Sequence, residues 1–160
     1  MRRITLFATL LAATFASPLA PPLAAEDPEP PFWASTKAAV VNMRVGPGED
    51  YRVLWVYKRV NLPMKVVRTK EGWWRVEDPD GATGWVLGSL MSQRRAGLVQ
   101  GKGLAEMHEK AEAGSKLKWR LEPGVTGKLG ECSEGWCDFS LPTGHQGFVP
   151  QDRLWGAQNP

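Results

Sequence analysis

Hydrophobic positions in this chain come in short runs, not at helical spacing. The runs 38–44, 51–57, 64–69, 73–77 and 83–87 are separated by turn formers: Gly46-Pro47-Gly48, Asn61-Leu62-Pro63, Glu71-Gly72 and the stretch 78–81. Runs of about five residues with turns this close predict an all-β architecture, a small barrel or sandwich. Period two sorts 73–76 into an inner face of Trp74 and Val76 and an outer face of Trp73 and Arg75. Glu71-Gly72 and Asp80-Gly81 are expected as hairpin turns with positive φ, and Asp-Gly is the stronger signal of the two.

The pattern occurs twice. A shift of 63 positions lays Glu71-Gly72-Trp73 on Glu134-Gly135-Trp136, Pro79 on Pro142, Gly81 on Gly144, Gly84 on Gly147 and Val86 on Val149, seven identities over the sixteen positions 71–86. The same shift sets Trp85 against Phe148, Val76 against Phe139, Leu54 against Leu117 and Val66 against Leu129. Self-similarity at a fixed period marks two copies of one unit. Upstream the copies diverge, because Gly46-Pro47-Gly48 has no counterpart and 104–113 (LAEMHEKAEA) is made of helix formers. Propensity favours a helix over 104–113; the repeat favours strand and loop, and tertiary context overrides propensity in so short a stretch.

Two features locate the protein. Residues 1–25 carry Arg2 and Arg3, an apolar run over 4–15, then small residues and prolines, the pattern of a secretory signal with cleavage within 20–25. The run is shorter than the roughly 20 residues of a membrane span. An acidic, proline-rich tether follows (26–32), then a first repeat (33–91), a glycine- and arginine-containing linker or joining strand (92–102), a second repeat (103–156) and a tail (157–160). Removing residues 1–25 takes away two Arg and no acid, so the formal charge falls from +3 to 18 − 17 = +1. A nearly neutral mature chain offers no electrostatic ground for nucleic-acid binding. Export also implies that Cys132 and Cys137 pair as a disulfide across the second repeat's hairpin, at the positions of Thr69 and Trp74. A zinc site built from Cys132, Cys137 and His145 or His108 is the alternative, and it needs four well-placed ligands.

Asn42-Met43-Arg44-Val45-Gly46-Pro47-Gly48 through Val53, then Glu71–Val76 (EGWWRV), then Gly81–Val86 (GATGWV) resembles a bacterial SH3 (SH3b) domain. The endings EGWCDF and GHQGFV of the second copy resemble the same family from about Leu117 onward. The resemblance implies two tandem five-stranded, partly open barrels, the second degenerate, and a binding role without a cofactor. Family members bind cell-wall peptides or other proteins, so a wall peptide or an envelope protein is the implied partner of an exported chain. Loss of the Gly-Pro-Gly segment in the second copy assigns ligand binding to the first. Arg44, Tyr51, Trp73 and Trp85 are the candidate ligand-binding residues, with Trp73 either a platform for ligand or a plug for the barrel's open end.

Catalysis finds little support in the sequence. Ser, His and Asp occur without a nucleophile elbow or an equivalent motif to fix them, and no phosphate-binding or dinucleotide glycine pattern is present. His108 and His145 are both expected on the solvated surface. The acidic-aromatic motif that opens eukaryotic polyproline-binding SH3 domains is missing as well, so proline-rich recognition is not favoured.

Overall fold

Period two governs the central hairpin: Trp74 and Val76 are buried, Trp73 is half-buried and Arg75 exposed, and Trp136–Ser140 repeats the same order of burial. The computed structural model describes residues 28–160. The expected signal segment 1–25 and the first two residues of the tether lie outside them.

Seven strands form the first sheet: β1 (Phe32–Thr36), β2 (Val41–Arg44), β3 (Val53–Tyr57), β4 (Pro63–Lys70), β5 (Trp73–Glu77), β6 (Thr83–Leu87) and β7 (Met91–Ser92). Their order is β3-β2-β6-β5-β4-β1-β7, and the pairings found among them are antiparallel. The second sheet repeats that order with β8 (Ala96–Val99), β9 (Ala105–His108), β10 (Leu117–Leu121), β11 (Thr126–Ser133), β12 (Trp136–Ser140), β13 (Gln146–Pro150) and β14 (Leu154–Trp155): β10-β9-β13-β12-β11-β8-β14. The chain is therefore all-β, two tandem units of one topology, with a leading and a closing strand added to the five expected in each. Strand β8 lies within 92–102 and pairs with β11, so that stretch contributes to the second sheet. Residues 105–108 are strand and not helix; pairing with β10 and β13 outweighs the propensity of the isolated segment.

Each sheet encloses its own apolar cluster. Phe32, Val41, Met43, Met64, Trp74, Val76 and Val86 fill the first, and Val99, Met107, Leu121, Cys137, Phe139, Val149 and Leu154 the second. Bulk is redistributed between them: Trp74 over Val76 becomes Cys137 beside Phe139, which keeps volume roughly constant in a close-packed interior. Upstream, the offset of 63 becomes 64. Val41 pairs with Tyr57 as Ala105 pairs with Leu121, because the loop before β11 (122–125) is one residue shorter than the loop before β4 (58–62). Leu117 is thus the counterpart of Val53, not of Leu54, and His108 the counterpart of Arg44.

The hairpin turns differ from expectation in one respect. Glu71 and Gly72 both have positive φ (49° and 79°), as a type I′ turn requires, and Glu134 and Gly135 match them. At Asp80-Gly81 only the glycine does, at 83°. That loop is organised by Asp78, whose carboxylate accepts from the N–H groups of Asp80 (3.0 Å) and Ala82 (2.8 Å). A side chain two residues upstream does the work that the dipeptide alone was expected to do.

The repeats also touch along a seam. The rings of Trp33 and Trp155 meet edge to face at 5.2 Å, and the Trp33 indole N–H donates to the Gln158 carbonyl at 2.7 Å. Arg59 donates to the Gly124 carbonyl at 2.5 Å, and Ser35 Oγ donates to the Arg94 carbonyl of the connecting stretch at 2.9 Å.

Candidate functional site

The segment linking β2 to β3 is shaped by two of its own side chains. Tyr51 lies over the Gly46-Pro47-Gly48 turn so closely that a Cβ at Gly46 would stand 2.5 Å from its ring. Only glycine leaves room there. Arg44 Nη1 donates to the carbonyls of Glu49 (2.8 Å) and Tyr51 (2.7 Å) and so pins the loop to the end of β2. One nitrogen of the guanidinium is thereby committed to the fold, making Arg44 a positioning residue as well as a surface cation. Tyr51 keeps 48% of its surface exposed.

Antiparallel pairing brings the other candidates beside these two. Arg44 lies directly opposite Trp85, and Trp85 opposite Arg75. Trp73 pairs with Leu87, which places it diagonally from Trp85 on the same outward face. Arg44, Trp73 and Trp85 therefore share one outward face, and Tyr51 stands in the loop that Arg44 holds at its edge. Trp73 and Trp85 are each half-buried, leaving part of each indole available to a ligand. The row continues past the predicted set, because Arg75 is paired with Arg68 on β4 and both are exposed. Arg44, Trp85, Arg75 and Arg68 cross four strands, an indole with cations on either side. Both ion pairs found among the described residues involve Glu106 in the other repeat, so none of the described carboxylates lies within ion-pairing distance of this row. Arg75 was readable from period two in EGWWRV; Arg68 was not, because a bulge after Val66 resets the alternation on β4, and pairing across strands was needed to connect both with Arg44.

The second repeat fills the same place differently. His108 is buried, contrary to the solvated surface expected of it. Its ring packs edge to face on Trp136 at 5.3 Å, its Nδ1 lies 3.1 Å from the Ser115 carbonyl, and its Nε2 lies 3.5 Å from Glu106. It pins the β9–β10 loop as Arg44 pins its own. The ungapped repeat hid this, since the 63-residue shift does not set His108 against Arg44. His145 is exposed, with its ring on Trp119 at 4.0 Å. Neither imidazole is hydrogen-bonded to a hydroxyl in the way a nucleophile and its base would be.

Cys132 and Cys137 are joined as a disulfide across the β11–β12 hairpin. With both sulfurs bonded to each other, the zinc alternative loses its two thiolates, and no group of three potential metal ligands occurs among the described residues. In the first repeat Thr69 pairs with Trp74 at the corresponding place.

Sequence reasoning missed Trp55, the most exposed of the large apolar side chains at 61%. It stands on the outermost strand β3 with Leu54 and Val56, also exposed, and borders a cleft of about 710 Å³ between the repeats. Its counterpart is Trp119, flanked by Lys118 and Arg120. An offset of 64 in place of 63 would have paired the two tryptophans.

The model of a family described as the bacterial SH3 domain matches residues 37–93 and again 101–156. No curated protein matches the chain. Among solved structures, NlpC2 from Trichomonas vaginalis aligns over 81% of this chain and 49% of its own length, at 11% identity and a TM-score of 0.34. The chain spans about half the length of that protein, and likeness at this level carries nothing on function.

Proposed function

Because the chain belongs to the bacterial SH3 domain family, whose domains are binding modules, we propose that it is an exported, non-catalytic binding protein of the cell envelope that recognises cell-wall peptide through its first repeat. The observation that carries this reading is the outward surface of that repeat. Exposed Tyr51 and half-buried Trp73 and Trp85 supply apolar area, and Arg44, held in place by its loop, supplies a partner for a peptide carboxylate. Export is supported by the N-terminal pattern and by a disulfide that needs an oxidising compartment. No helix among the described residues is long and apolar enough to cross a membrane.

Co-sedimentation with purified murein sacculi tests the reading. Wild type pellets with sacculi, and Trp73→Ala and Trp85→Ala each weaken binding by about 1–2 kcal/mol with little change in melting temperature. Trp136→Ala, in the second repeat, leaves binding intact. A protein that stays in the supernatant at every sacculus concentration overturns wall binding and leaves a protein-interaction module, the reading that the exposed Leu54-Trp55-Val56 strand favours.

A further inference from the structure

The row Arg44–Trp85–Arg75–Arg68 has a counterpart on the second repeat, built on the same strands. His108 pairs with Phe148 and Phe148 with Asp138, and Glu131 holds the place of Arg68. An aromatic ring stands at the centre of both rows, and the charge beside it is reversed: Arg75 becomes Asp138 and Arg68 becomes Glu131. The surroundings follow in part: Lys70 is replaced by Ser133, whereas the Asn42–Val56 pair becomes the Glu106–Arg120 ion pair with no net change of charge. Against this trend the first face keeps Glu77, and both keep a lysine, Lys65 and Lys128. Arg68, Arg75, Glu131 and Asp138 are all exposed.

Like charges on neighbouring strands repel, and here each sheet carries such a pair. Neither pair is neutralised among the described residues, where both ion pairs are made by Glu106, to His108 and Arg120. Each face thus presents a half-buried aromatic anchor with unpaired charge beside it, and the charge that would neutralise one is the charge displayed by the other. We propose that the outward face of the first repeat docks on the outward face of the second repeat of another copy of this chain, Arg68 and Arg75 against Glu131 and Asp138.

The two faces are different surfaces, so the contact is heterologous and each added copy leaves a free face at either end. Assembly then grows head to tail and does not stop at a dimer. At about 4.8 Å between strands the row spans only ~14 Å, a small footprint, so the contact is weak and held largely by charge. It must fade with salt as the screening length falls from about 20 Å near ~20 mM to about 4 Å near ~500 mM.

Sedimentation velocity of the whole mature protein over a wide concentration range, at those two salt levels, provides the test. Wild type shows a weight-average mass that climbs with concentration at low salt and returns to monomer at high salt. Arg68→Glu with Arg75→Glu makes both faces acidic, and Glu131→Lys with Asp138→Lys makes both basic. Each double variant alone is monomeric at low salt, with circular dichroism confirming that it is folded, and an equimolar mixture of the two associates again. A wild-type protein monomeric throughout overturns the proposal, as does a mixture that stays monomeric, or a double variant that assembles alone as wild type does. Retention of a monomeric wild type on heparin at low salt would assign the basic face to a polyanion instead. These readouts involve no wall material, so they stand or fall independently of murein binding.

Discussion

The two repeats agree inside and disagree outside. Both sheets have one strand order, both central hairpins alternate identically, and both β2-type strands end on a side chain that pins the following loop to a carbonyl, Arg44 in one and His108 in the other. Within the cores, buried polar groups also separate them, the Tyr57–Asp78 pair among them. Tyr57 is buried and donates to Asp78 at 2.7 Å, and the corresponding positions in the second repeat are Leu121 and Leu141. A matched polar pair has been exchanged for a matched apolar one, which avoids leaving either partner unsatisfied. Likewise the Trp74 indole has given way to a disulfide, with Phe139 taking up the space. Core positions changed in compensated sets, and outer positions changed sign freely. The fold therefore constrains the inner face and leaves the outer face free to diverge.

Moving bulk within each core gives the largest expected effect. Trp74→Ala and Phe139→Ala should each destabilise their repeat by about 3–5 kcal/mol, and Val76→Ala by only about 2 kcal/mol, measured by denaturant titration. Equal costs for Trp74 and Val76 would show that the redistribution of volume is not what balances the two cores. Next in size is the disulfide. Reduction, or Cys132→Ser with Cys137→Ser, should cost the second repeat about 2 kcal/mol, the low end expected of a short ring, and leave the first repeat's unfolding unchanged. Alkylation of both thiols in the unreduced protein would remove the basis for that difference.

The smallest effect is also the most specific. Burial, reinforced by the hydrogen bond to Asp78, holds the Tyr57 hydroxyl well above the ordinary tyrosine pKa. In the unfolded chain Tyr57 ionises near pH ~10, and in the folded chain it keeps its proton to higher pH. Its contribution to stability is therefore complete below about pH 10 and is lost as pH rises above that value. Tyr57→Phe should cost about 1 kcal/mol at neutral pH and flatten the alkaline fall in the first repeat's stability. An alkaline limb of undiminished steepness in that variant would assign the loss to other groups.

Much of this fold was legible because period two and an ungapped repeat are strong local signals. Trp73–Glu77, its Glu71-Gly72 turn and the paired cysteines could be placed from residue order alone. The failures share a physical origin. His108 sits in a polar stretch that reads as solvated, and a one-residue difference between two loops broke the offset that would have set it against Arg44. Strand β8 contains a glycine, Gly97, is followed by Gly101 and Gly103, and has few strand formers; it is ordered by β11 and β14, its neighbours on either side. Asp80-Gly81 was credited with a turn that Asp78 directs. For the candidate site, Tyr51 and the Gly-Pro-Gly turn were visible as a motif, but the juxtaposition of Arg44, Trp85 and Arg75 comes from strands far apart in sequence.

The bond from Trp33 to the Gln158 carbonyl spans 125 residues of sequence. Bringing such distant segments together carries a loop-closure cost until the barrels between them have formed and shortened the effective span. The Trp33–Trp155 seam is thus set to close late in folding and to open early in unfolding, so the clasp that unites the repeats is also the place where each is released to move as an independent body.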